Sequence, residues 1–192
     1  MAIQSASFLK NGHVCPWWLA YTFDNPLRKL FHRPSKILSP YIKAGMRVMD
    51  AGCGMGFFSI GMAKMVGDKG KVIAVDLQQK MLDIMLKRAK HAGVADRISP
   101  HFCKPYKIGV SEKVDFILAF WMVHEVGDQK NFFTELGSNL TAGGKILMAE
   151  PKMHVSAEDI AKTIEIAQST GLRLLEQPAI RFSRSALFGI IP

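Results

Sequence analysis

At 192 residues, 48% hydrophobic and 21% charged, the chain has room for one domain with a packed core and the composition of a soluble globular protein. No run of about eighteen uncharged apolar residues is present, which excludes a membrane-spanning helix. The start, Met1-Ala2-Ile3-Gln4-Ser5, lacks the order of a secretory signal, so a cytoplasmic protein is expected. The formal charge of +9 is concentrated in residues 1–47, where seven Lys/Arg stand against Asp24 alone. That excess keeps a nucleic-acid partner open beside the plainer reading of a solvated basic face.

In chain order, residues 1–44 read as an aromatic, proline-punctuated cap, with a helix start at Asn25-Pro26 and interruptions at Pro34 and Pro40. From Arg47 the pattern turns regular. An apolar run at Val48-Met49 is followed by a glycine turn, a helix over 57–66, the turn Gly67-Asp68-Lys69-Gly70 and a second strand at 72–75. A helix over 79–92 carries Met81, Leu82, Met85, Leu86 and Ala89 on one stripe, with Gly93 as its stop signal. Strands are expected at 98–103 and 114–120, a helix at 131–140, and a fifth strand at 145–149 after Gly143-Gly144. Ser156 and Asp159 form a capping box for a last helix, and the segments 172–176 and 179–190 lie too close for another crossover, so they should pair antiparallel.

Alternating strands and helices at this spacing predict an α/β, doubly wound sheet with its ligand at the carboxyl ends of the strands. The chain divides into a cap (1–44), a cofactor-binding core (45–151) and a closing helix and hairpin (152–192) of a single domain. Three widely spaced cysteines, Cys15, Cys53 and Cys103, suggest neither a disulfide framework nor a zinc site. His13 and Cys15 are too few to hold a metal, so none is expected.

The segment Asp50-Ala51-Gly52-Cys53-Gly54-Met55-Gly56 ends the first strand in three alternate glycines and opens a helix at once. Such a loop lets a ligand approach the backbone and presents unpaired N–H groups to it. Twenty residues beyond Gly56, Asp76 ends the second strand, where a carboxylate can accept the hydroxyls of a ribose. The choice between a dinucleotide and S-adenosylmethionine turns on two residues. Phe57 stands where a dinucleotide fingerprint wants a third glycine, and Asp50 repels a pyrophosphate but attracts an ammonium and a sulfonium. The bland alternative is that Asp50 braces the turn and Asp76 caps the next helix.

These segments, with Val75-Asp76-Leu77, Val114-Asp115-Phe116-Ile117-Leu118-Ala119 and Leu140-Thr141-Ala142-Gly143-Gly144-Lys145-Ile146-Leu147, resemble the successive motifs of class I S-adenosylmethionine-dependent methyltransferases. The small-molecule group that includes ubiquinone and menaquinone methyltransferases is the most similar. The resemblance implies a Rossmann-like seven-stranded sheet in the order 3-2-1-4-5-7-6 with strand 7 antiparallel. It also implies that Gly52, Cys53, Gly54 and Gly56 lie under the methionine and ribose, Asp50 near the amine, Asp76 on the ribose hydroxyls, Leu77 against the adenine, and Phe120 with the cofactor. Lys104 stands where many members have an acid for the adenine amine, a bond lysine cannot accept, so recognition there falls to backbone groups.

Beyond the fourth strand, Phe120-Trp121-Met122-Val123-His124-Glu125-Val126 lies where an acceptor would sit. His124 is either a general base or the holder of one structural hydrogen bond. Trp17, Trp18 and Tyr21 either close a lid over the acceptor or pack the cap, and Trp121 joins them as an acceptor contact. The expected function is methyl transfer from S-adenosylmethionine to a small-molecule acceptor by a monomer or homodimer. An RNA methyltransferase using the basic first quarter, or a cofactor-binding protein without catalysis, are the alternatives.

Overall fold

A computed structural model describes residues 28–190. Trp17, Trp18 and Tyr21 lie outside the described residues, as do His13 and Cys15. Two short helices, α1 (Arg28–Phe31) and α2 (Pro34–Leu38), lead into β1 (Arg47–Ala51), α3 (Phe57–Val66), β2 (Lys71–Asp76), α4 (Gln79–His91) and β3 (Ile98–Phe102). The second half runs β4 (Val114–Phe120), α5 (Gln129–Asn139), β5 (Leu140–Pro151), α6 (Ala157–Ser169), β6 (Leu172–Glu176) and β7 (Ser183–Ile190). The seven strands form one sheet in the order β3-β2-β1-β4-β5-β7-β6. β3, β2, β1, β4 and β5 are parallel neighbours, while β7 runs antiparallel to both β5 and β6. The order and the antiparallel last strand match the sequence expectation.

The central strands are apolar on both faces because helices cover both faces. Successive side chains alternate across the sheet. Val48, Val72, Phe116 and Leu118 join Phe58, Met62, Leu82 and Met85 of α3 and α4 on one side. Met49, Ile73, Ile117 and Met148 join Phe133, Leu136, Ile160 and Ile164 of α5 and α6 on the other. Leu38 and Ile42 are buried in the first of these cores and Tyr41 stacks on Phe116 at 5.7 Å. The second half of the cap is therefore core and not an appended flap.

Three element starts differ from the sequence reading by two residues or more, each for a local reason. α5 begins at Gln129 because Asp128, not the residue before Asn131, is the N-cap and accepts from the Asn131 N–H. β5 starts at Leu140, well before 145: the Gly143-Gly144 segment stays in the strand as an irregularity in the β4 pairing, with Gly143 at φ +78°. β7 starts at Ser183 instead of 179 because Phe182 takes φ +58° and the Ser183 N–H bonds back to Ile180 O, a turn that delays pairing.

The cap is fastened by a close approach. A β-carbon on Gly61 of α3 would stand 2.4 Å from Pro34 Cβ, so α2 rests directly on the helix backbone. Gly61→Val should lower unfolding stability by roughly 1–3 kcal/mol, the usual cost of overpacking, as read by urea denaturation. A variant with an unchanged midpoint would show that α2 yields without cost.

Candidate active site

The carboxyl ends of β1, β2 and β4 open on a cavity of about 350 Å³, within the range of small-molecule sites. Gly52, Gly54, Asp76, Leu77, Lys104 and Trp121 all line it. Asp50, Cys53, Gly56, Phe120 and His124 are not among its lining residues, though each adjoins one that is or packs behind it.

The glycine loop is built by backbone bonds. Gly52 and Cys53 both donate to Val75 O at 2.9 Å, Gly56 donates to Cys53 O, and Gly54 donates to Asp76 Oδ2 at 2.8 Å. The other Asp76 oxygen accepts from the Gln78 N–H at 2.8 Å. Burial holds the Asp76 carboxyl above its ordinary pKa against these backbone donors. All three glycines have positive φ, but their surroundings separate them. A β-carbon on Gly52 would meet Met122 Cγ at 2.7 Å and one on Gly56 would meet Met85 Cγ at 2.4 Å, whereas one on Gly54 would meet nothing within 4 Å. Gly52 and Gly56 are thus needed by the protein's own packing, and Gly54 is bare toward the cavity. An open cradle of backbone beside a buried carboxylate fits the ribose and methionine of S-adenosylmethionine.

Asp50 lies behind the loop, 2% exposed, and accepts from Ser59 Oγ at 2.5 Å. Burial pushes its carboxyl up to about 6, with the Ser59 hydroxyl and the Arg28 charge opposing the shift. Burial likewise pushes the Cys103 thiol up to about 11 and the Cys53 thiol well above its usual value, so neither is a ready thiolate nucleophile.

At the β3 side of the cavity, the Lys104 N–H and C=O pair with Lys107 across a tight turn. The backbone N–H expected to read the adenine edge is committed there. The turn is pinned instead by two residues that sequence reasoning passed over: Glu135 accepts from the Ile108 and Gly109 N–H groups, and Asn131 donates to Tyr106 O and Glu135. Their spacing of four on one helix face was the available signal.

Directly after β4, Trp121 has φ +61°, an unusual conformation for a bulky residue. Two bonds hold it: its N–H donates to Ala149 O at 2.7 Å and its indole Nε1 to Ser183 Oγ at 2.9 Å. Next to it, Glu150 is 1% exposed and gathers the Met122, Val123 and His124 N–H groups together with His124 Nδ1 at 2.5 Å. With a carboxylate as its partner, Nδ1 carries the proton and Nε2 is the position left to act as a base. Burial alone would lower the His124 pKa, but the hydrogen bond and charge of Glu150 outweigh it and hold the ring above its ordinary value. Glu150 was also missed, although an acid directly after the apolar run of the fifth strand marks the carboxyl end of the sheet. On the cap side His32, 2% exposed, donates from Nε2 to Arg181 O and meets Phe120 and Trp121 edge-on. Burial pushes its pKa down.

The sequence profile described as a methyltransferase domain matches residues 42–177, which takes in the sheet through β6 and every element around the cavity. The chain belongs to the methyltransferase domain family. It is of the class I, S-adenosylmethionine-dependent kind. Among relatives of this methyltransferase domain, the ribosomal protein L11 methyltransferase of Dictyoglomus turgidum is 27% identical over 146 residues, covering 73% of this chain and 43% of that protein. The demethylmenaquinone methyltransferase of Lactobacillus johnsonii is 30% identical over 133 residues, covering 66% and 50%. The chain thus spans about half the length of the curated relatives it matches. A crystal structure of a SAM dependent methyltransferase from Aquifex aeolicus superimposes with a TM-score of 0.84 at 24% identity, covering 93% of this chain and 100% of that one. Among the described residues no helix is long and apolar enough to cross a membrane, and no group of three or more His, Cys, Asp and Glu is placed to hold a metal.

Two titrations check the buried charges. An Asp whose folded pKa is raised costs stability as pH rises from its unfolded value, near 4, through about 6. Asp50→Asn should therefore gain stability relative to the wild type across that window, by up to roughly 3 kcal/mol, and hold the gain at higher pH; parallel urea-stability curves would refute the burial cost. His124 has the opposite sense: its pairing stabilises the fold below pH 6.5 and is lost as pH rises through the raised folded value. By NMR, His124 should titrate above 6.5 in the wild type and fall below it in Glu150→Gln, whereas an unmoved midpoint would remove Glu150 as the cause.

Proposed function

We propose that this methyltransferase domain acts on a small-molecule acceptor, with Trp121 and the His124–Glu150 pair forming the acceptor side. The carrying observation is Trp121: a strained backbone and two tethers hold one indole between the cofactor cavity and the aromatic wall of Phe120 and His32. Such a fixed, apolar, narrow wall suits a compact and partly apolar acceptor. The likeness to a demethylmenaquinone methyltransferase supports the same reading.

In this reading Gly54 gives the cofactor its closest backbone approach, Asp76 accepts the ribose hydroxyls on lone pairs left beyond its two backbone bonds, and Leu77 flanks the adenine. Bound S-adenosylmethionine supplies an electrophilic methyl group on a sulfonium. His124, oriented by Glu150, takes a proton from the acceptor at Nε2, which requires the neutral ring. Activity then rises with pH through the raised His124 value. The Phe120-Trp121 wall keeps water from the reacting centre.

The test is equilibrium binding of S-adenosylmethionine followed by transfer of a labelled methyl group to fractionated host extract. The ligand-free cavity has room for the Gly54→Val side chain, but φ +52° strains a β-branched residue there, so the fold of the variant is checked by urea denaturation; cofactor binding should weaken by roughly 100-fold or more, because the side chain fills the cradle. Label in the small-molecule fraction supports the proposal; label confined to RNA or protein overturns it. Binding unaffected by Gly54→Val would show that the loop does not touch the cofactor.

A further inference from the structure

Four of the eight large hydrophobic side chains that stand exposed among the described residues gather on one stretch of the sheet's carboxyl-end rim: Leu30, Phe31, Phe182 and Met153, the last 90% exposed. They come from three distant segments. Phe31 meets Phe182 edge-on at 5.3 Å, and the Arg181 guanidinium carbon lies over both rings, at 4.5 and 5.0 Å. The Lys152 N–H donates to Phe182 O at 2.9 Å, and Met153 follows directly. Pro151 pairs with Ser183, so the end of β5 and the start of β7 share the rim on which the cavity opens. Because Ser183 tethers Trp121, the patch adjoins the Trp121 side of the cavity mouth.

The same segments carry charge of one sign. Residues 28–38, 151–156 and 177–184 hold seven Lys/Arg and no Asp or Glu. Arg33, Lys152 and Arg181 are exposed and have no acidic partner among the described residues. The acids that flank these segments are engaged elsewhere, Glu150 by His124 and Glu176 by the Tyr41 hydroxyl. Single exposed apolar side chains are ordinary, whereas a contiguous set marks a docking surface. Rings and guanidinium planes alone would suit the bases and phosphates of RNA, but the aliphatic tips of Leu30 and Met153 offer no stacking face. Apolar tips that enter hydrocarbon while Lys and Arg stay among anionic headgroups are the pattern of an interfacial anchor.

We propose that this patch docks the protein reversibly on an anionic lipid surface, with Leu30, Phe31, Phe182 and Met153 entering the acyl boundary and Lys152 and Arg181 among the phosphates. The Trp121 side of the cavity mouth then faces the bilayer. Docking of this kind lays a surface on the membrane and needs no spanning helix. It stands apart from the acceptor reading, since it requires neither cofactor nor acceptor.

Co-sedimentation of the full chain with lipid vesicles tests this, and a failure leaves the proposed methyl transfer untouched. Mixed vesicles of phosphatidylcholine and phosphatidylserine should bind the wild type roughly 10-fold or more tighter than phosphatidylcholine alone, and added salt should weaken that binding. Lys152→Glu with Arg181→Glu, and separately Met153→Ser with Phe182→Asn, should each cost roughly 10-fold or more on the mixed vesicles. Asn suits position 182 because it tolerates the positive φ there. Met153, almost fully exposed, can change without touching the core, so Met153→Ser alone should give part of the loss in a protein that folds as the wild type does. Lys71 is exposed at the amino end of β2, on the opposite rim, and Lys71→Glu should bind as the wild type does. No binding to mixed vesicles overturns the proposal. So does a loss confined to the charge variant, which would leave a surface for a soluble polyanion such as RNA, and so does an equal loss in Lys71→Glu, which would leave only net charge.

Discussion

The Asp76 carboxylate holds the working end of this protein together. One oxygen fixes the Gly54 N–H of the first crossover and the other fixes the Gln78 N–H at the start of the second, so a single side chain sets the spacing of two loops on neighbouring strands. Because both bonds run to backbone, the cradle has its shape before any ligand arrives, which lowers the ordering cost of binding. The sheet supplies the rest: parallel strands in register bring all their carboxyl ends to one rim, and the Val75 carbonyl, by accepting from both Gly52 and Cys53, stops the first strand there.

Charge is concentrated under that rim at a cost to stability. Asp50, Asp76 and Glu150 are all nearly inaccessible, and each is offset differently: Asp50 by one hydroxyl and the Arg28 charge, Asp76 by two backbone donors, Glu150 by three backbone donors and an imidazole. Asp50, with the poorest compensation, has its pKa raised to about 6. A fold selected for stability alone would not keep it so. The burden is intelligible if a cationic ligand completes the pairing, since a buried charge left waiting for its partner binds that partner strongly.

Much of this was legible in the sequence where periodicity and chemistry coincide. The helix over 57–66 is found as read, the capping box of Ser156 and Asp159 is present, and the strand order is the one the family resemblance implies. The site was legible where one segment carries it: the glycines and Asp76 announce themselves within 25 residues of chain. Glu150, Asn131 and Glu135 did not, because each bonds a residue 25 or more positions away. A single polar residue beside an apolar run has no periodic signature, and its partner is fixed only when the sheet has formed. The uneven roles of Gly52, Gly54 and Gly56 were hidden for the same reason, since Met122 and Met85 reach the loop from distant elements.

The tether from Trp121 to Ser183 crosses 62 positions of sequence. β7 lies between β5 and β6 in the sheet, and the hydroxyl that positions this indole belongs to the described strand latest in the sequence. On a ribosome the glycine loop, Asp76 and the first five strands emerge well before it, and a nascent chain can assemble the glycine-loop side of the cavity while Trp121 is still unanchored. Order of synthesis thus separates the two sides of the cavity.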